Sequence, residues 1–117
     1  MALKNMVERL TKPVEEIDRE KLARFCDALG VTMIRDVTLR HPVRVAGEVK
    51  AVRIVPRAGA PALEVTVADG HDSLTAVFLG RRKIHGMSPG RRLVLDGVAG
   101  QDHHRVIIYN PTYQLLP

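Results

Sequence analysis

Residues 43–55, VRVAGEVKAVRIV, decide how the larger part of this chain folds. Val43, Val45 and Val49 alternate with Arg44, Glu48 and Lys50, the two-residue period of a half-buried β-strand. The apolar phase then slips by one, so that Val52 and Ile54 become the apolar positions with Arg53 between them. A bulge near Lys50 and Ala51, or a sharp coil in the strand, would return both sets to the same face. The expectation is a long, bent strand with Val52 and Ile54 turned toward a core.

Downstream of it, PRAGAP (56–61) carries the proline and glycine punctuation of a loop. ALEVTVAD follows, with Leu63, Val65 and Val67 inward and Glu64 and Thr66 outward. Asp69-Gly70 is a hairpin signal ahead of SLTAVFL. After a connection from Gly80 to Gly90 come RRLVLDGV and, beyond AGQDHH, the run RVIIYNPTYQLL. Five strand candidates with one longer connection between the third and fourth predict a mainly β fold, a five-stranded Greek-key barrel spanning residues 41–117.

Residues 1–40 read as an N-terminal helical segment. In DREKLARFCDALG, Leu22, Phe25, Cys26 and Leu29 form one helical stripe, with Asp18 as N-cap and Gly30 just past the end. An earlier piece, NMVERLTKPVEEI, has similar spacing but is interrupted by Pro13.

Composition narrows the function classes. A chain of 117 residues suits one domain. It contains no unbroken apolar run of the roughly 18 residues needed to span a bilayer. Lys4, Glu8 and Arg9 interrupt the N-terminus, so no secretory signal is expected and the cytoplasm is the default location. Cys26 is the only cysteine, which excludes an intramolecular disulfide and a thiolate-rich metal cage. The net charge of +5 is uneven: residues 1–40 carry eight Lys or Arg against seven Asp or Glu, residues 41–117 ten against six. A basic domain without membrane signals points to a polyanionic partner, nucleic acid being the commonest.

The basic residues concentrate in FLGRRKIHGMSPGRRLVL (78–95), where Gly-Arg-Arg occurs twice. Arg81, Arg82, Lys83, Arg91 and Arg92 can each offer charge-assisted hydrogen bonds to phosphate oxygens. Arg53 and Arg57 lie at the first loop, and His103, His104 and Arg105 at the last hairpin. Tyr109 and Tyr113, flanking NPT, could stack on bases or close the barrel. With no Trp and only four aromatic residues, high-affinity coating of single strands is not expected.

No catalytic residue, metal site or cofactor is predicted. Asp102, His103 and His104 are adjacent, and neighbouring side chains on a strand point apart, so DHH reads as a hairpin tip. Cys26 on an apolar helix face is inert. The motifs G-x-x-x-x-G-K-[ST], G-x-S-x-G and H-E-x-x-H are absent.

Residues 43–116 resemble an OB-fold of the anticodon-binding type, and in particular the wedge domain of RecG-type helicases. VRVAGEV matches its first strand, DGHDSLTAVFLG its second hairpin, MSPGRRLVLDGV the approach to strand four, and NPTYQLL its close. The chain is also similar, through most of its length, to small actinobacterial OB-fold proteins that join a short helical leader to one barrel. The resemblance implies a non-catalytic module binding DNA or RNA; the helicase motor is lacking, so unwinding is not implied. The other reading is a protein-interaction or homo-oligomerisation module using the barrel and the N-terminal helix.

Overall fold

The computed structural model of the protein describes residues 14–117, so the earlier helical piece around Pro13 lies largely outside the described residues. The elements are helix α1 (Val14–Ala28), a single 3-10 turn (Ile34–Asp36), and strands β1 (Pro42–Arg57), β2 (Ala60–Ala68), β3 (Ser73–Leu79), β4 (Arg92–Asp102), β5 (Arg105–Tyr109) and β6 (Thr112–Leu115). The fold is mainly β with one N-terminal helix among the described residues.

β1 does what its phase slip demands. Its register against β2 jumps between Val49 and Ala51, leaving Lys50 as the extra residue. The bend lets one strand serve two neighbours: Pro42–Glu48 pair with β4 and Glu48–Arg57 with β2. β2 pairs with β3, β3 runs parallel to β5, and β5 pairs with β4. The pairing therefore closes as β1-β2-β3-β5-β4 and back to β1, a ring of five strands.

Val45, Val49, Leu63, Val65, Val67, Leu74, Phe78, Leu93, Leu95 and Ile108 fill the ring, and all are buried. Ile34 from the 3-10 turn joins them, with Ile84 and Met87 from the β3–β4 connection. Val52 packs against this core as expected, but Ile54 is 54% exposed, which corrects its assignment. The cause is topological: β1 leaves β4 at Glu48, so Ile54 has a strand beside it only on the β2 side.

Three other expectations change. PRAGAP is no loop: the ladder runs through Pro56↔Pro61 to Arg57↔Ala60, and the turn is Ala58-Gly59 alone. Both turn residues have positive φ, 50° and 80°, the backbone of a tight primed hairpin whose twist matches the strands. β4 continues through AGQD to Asp102. The final run splits in two, because Asn110 (φ 49°) and Pro111 turn the chain away from β5 and β6 returns beside β4.

α1 begins by Val14 and passes through Asp18, which is therefore interior to the helix and not its cap. Gly30, at φ 70°, turns the chain after its end as expected. Leu22 and Cys26 are buried against Ala46, with Phe25 and Val94 beside them; Leu29, predicted in this stripe, is 40% exposed. The helix comes closest at Gly70, where a Cβ would lie 2.6 Å from the Arg19 carbonyl oxygen and 2.7 Å from the Ala23 nitrogen. Asp69 next to it organises the β2–β3 turn. Its carboxylate accepts hydrogen bonds from the backbone N–H groups of His71 and Asp72 (3.0 Å each) and of Ile34 (2.9 Å), tying the 3-10 turn to the hairpin. No helix among the described residues is long and apolar enough to cross a membrane.

Candidate functional site

Strand register draws one row of residues across the outer face of the ring. Arg53 on β1 opposes Glu64 on β2, Glu64 opposes Val77 on β3, and Val77 is level with Tyr109 on β5. Directly opposed residues share a face, so the side chains of Arg53, Glu64 and Tyr109 stand in line on it, with Val77 buried between them. Arg57 and Arg105 join them because each lies four residues along its strand from a member of the row, and an even spacing keeps them on that face. Beneath them Ala62, Val77 and Ile107 form a small apolar floor, fully covered.

Glu64 is the centre of the arrangement. Only 4% exposed, it accepts hydrogen bonds from Arg53 Nε and Nη2 (3.3 and 3.1 Å) and from Arg57 Nη2 (3.0 Å), and Arg105 Nη1 stands 3.5 Å away. Burial pushes this carboxyl's pKa up, but the hydrogen bonds from Arg57 and Arg53 and the charges of Arg53 and Arg105 outweigh it. The net result is a carboxyl held below its ordinary value. The bond to Glu64 likewise raises Arg57 above the usual guanidinium value, against a smaller opposing effect of burial. Asp102 takes a second bond from Arg105, at 3.3 Å.

Arg57 also orients Tyr109. Its Nη1 donates to the phenol oxygen at 3.2 Å, and its guanidinium carbon stands 5.6 Å from the ring centroid. Tyr109 remains 45% exposed. One amphipathic ring is thus presented at the end of the row, held by a cation that is itself held by Glu64.

The remaining predicted residues divide into two groups. Arg81, Arg82 and Lys83 are exposed, and among the described residues none of their side chains has a hydrogen-bond or ion-pair partner. They begin the β3–β4 connection, which is anchored to the β1–β2 hairpin by the Gly80 N–H donating to the Pro61 carbonyl at 2.8 Å. This basic run therefore starts at the Arg57 end of the outer face. His103 and His104 form the exposed two-residue tip between β4 and β5.

The second Gly-Arg-Arg is used differently. Arg92 stacks on Phe25 of α1, 4.4 Å from the ring centroid, and its Nε lies 3.8 Å from Glu48, so it joins the helix to the ring. Arg91 is half-buried and its Nε has no hydrogen-bond partner. Tyr113 packs edge-on against Phe78 at 5.7 Å, closing the interior instead of extending the Arg53–Tyr109 row. The twelve predicted residues are thus not one surface. Arg53, Arg57, Arg105 and Tyr109 come together, and Glu64, which no sequence motif marks, joins them. Its only sequence signal was an acidic residue at an outward position, and its partners could not be named without the register.

Cys26, on the helix side, is fully buried and its Sγ donates to the Ala46 carbonyl at 3.6 Å. Burial, helped by the nearby Asp69 charge, pushes its thiol up to about 11. Among the described residues, no group of three or more His, Cys, Asp or Glu could hold a metal ion. The sequence matches no protein-family model, and no curated protein matches it.

Proposed function

We propose that the ring is an OB-fold barrel and that the protein binds DNA or RNA across the outer face of β2, β3 and β5, from the cytoplasmic solution. The strand order β1-β2-β3-β5-β4, closed through β1 and with β3 parallel to β5, supports the OB-fold assignment. In such barrels this face, with the β1–β2 and β4–β5 turns at its margins, carries the nucleic acid. The observation that carries the functional reading is the junction of two unlike features. An exposed, oriented aromatic ring at Tyr109 lies at the end of β5, and a run of three unneutralised cations, Arg81 to Lys83, begins where β3 ends beside the β1–β2 hairpin. The cations suit phosphate oxygens and the ring suits a base.

Fluorescence anisotropy against labelled single-stranded, duplex and branched DNA and RNA, at several salt concentrations, tests the proposal. Binding should weaken with salt, and replacing Arg81, Arg82 and Lys83 together with Ala should flatten the logarithmic dependence by about 0.7 per lost contact on single strands. No binding to any of these nucleic acids at low salt would defeat the reading. It would transfer support to protein docking through exposed apolar residues such as Ile54 and Leu79.

A further inference from the structure

Arginines at a nucleic-acid site ordinarily serve as phosphate ligands, but the three on this face have another partner. Arg53, Arg57 and Arg105 all converge on Glu64, and Arg105 also bonds Asp102, so three guanidiniums face two carboxylates. Arg57 is the most committed of them. One terminal nitrogen bonds Glu64, the other bonds the Tyr109 phenol, and its Nε is buried without a partner. Most of the guanidinium charge on this row is therefore neutralised, and Tyr109, 45% exposed, is its one aromatic ligand-facing group.

Resting on the proposed function, we infer that Glu64 is a specificity-determining residue that makes this face select unpaired bases over duplex. It does so in two ways. It offsets arginine charge on β1 and β5 and occupies the Nε and Nη2 donors of Arg53 and the Nη2 donor of Arg57, which lowers the sequence-independent attraction a duplex would exploit. It also fixes Arg57, and through Arg57 the Tyr109 ring, as a stacking surface that only an unstacked base can reach. Phosphates of the bound strand are left to Arg81, Arg82 and Lys83. Glu64 is a positioning residue in this scheme; it does not touch the nucleic acid.

The test compares wild type, Glu64→Gln and Tyr109→Ala on a short oligothymidylate and on a duplex of equal length, with salt titrations. Glu64→Gln keeps the shape and removes the charge. It should raise duplex affinity, steepen the duplex salt slope by about 0.9 for each arginine released to a phosphate, and reduce the single-strand preference. Tyr109→Ala, at an exposed position, should weaken single-strand binding about 5- to 150-fold and leave the duplex unchanged. An aminopurine placed in the oligothymidylate should be quenched by wild type and not by Tyr109→Ala. The inference is overturned if Glu64→Gln changes neither slope nor preference while folded by circular dichroism, or if Tyr109→Ala weakens both substrates equally. In either case wild-type binding that still depends on Arg81, Arg82 and Lys83 would leave the proposed function standing. Wild type that binds neither of these substrates overturns the inference, and wild type that also binds no RNA or branched DNA at low salt overturns the proposed function with it.

Discussion

Replacing Gly70 with Ala should detach α1 from the ring without unfolding the strands. Gly70 sits at φ 95°, where a residue with a Cβ is strained by about 1–2 kcal/mol. The added methyl would lie 2.6 Å from the Arg19 carbonyl oxygen and 2.8 Å from the Ala23 Cβ. These are helix backbone and its first side-chain atom, so the helix as a whole must move away. Moving it forfeits burial of Leu22, about 1.5–3 kcal/mol when complete, and the stacking of Arg92 on Phe25. A total loss of about 2–4 kcal/mol follows if relaxation is partial.

Cys26 reports the event directly. Fully buried, its thiol is pushed up to about 11 from an ordinary 9.0, so near pH 8 its thiolate fraction is about 100-fold below that of an exposed thiol. Helix release should therefore raise the rate of reaction with dithionitrobenzoate by up to about 100-fold through ionisation alone, with access adding to it. Far-ultraviolet circular dichroism should keep its β signature. A Gly70→Ala protein whose thiol reacts no faster than wild type, with stability changed by less than about 0.5 kcal/mol, would refute the argument that close approach at Gly70 seats the helix.

Other consequences follow from the same contacts. Because the folded thiol of Cys26 titrates above its unfolded value, its contribution is fully present below about pH 9 and is lost as pH rises through about 11; at most ~3 kcal/mol disappears in urea melts across that window, and Cys26→Ala should abolish the dependence. Glu64 has the opposite sign: its carboxyl titrates below 4.5, so the stability it contributes is present above that value and is lost as pH falls through the depressed value, which carboxyl carbon chemical shifts would follow directly. Arg92→Ala, by removing the stack on Phe25, should cost more stability in urea melts than Arg81→Ala does, since the Arg81 side chain has no partner among the described residues. Leu95→Ala, in the middle of the ring interior, should cost about 2–5 kcal/mol in the same urea melts.

Alternation along a strand is a local property, and what depends on it was readable from the chain alone. The phase slip at Lys50 predicted the bulge, because a one-residue slip otherwise turns every later apolar side chain to the wrong face. Leu63, Val65 and Val67 were assigned inward for the same reason, and Gly30 after the helix because a left-handed turn there disfavours other residues. The exposure of Ile54, by contrast, follows from where β4 ends beside β1, which no pattern within residues 43–55 encodes.

The candidate site divides along the same line. That residues 41–117 are basic, and that Arg81, Arg82 and Lys83 are a run without nearby acids in sequence, could be counted. Pairing between strands decides which charges remain available. Arg53 and Arg57 are 11 and 7 residues from Glu64, while Arg105 comes from another strand far along the chain, and only the register of β1, β2, β3 and β5 draws them onto one carboxylate. Two identical Gly-Arg-Arg segments likewise acquired opposite roles because one lies beside α1 and the other faces solvent. Composition and periodicity determine the kind of surface a chain can build; the free charge on that surface depends on distances between residues far apart in sequence, which tertiary packing alone sets.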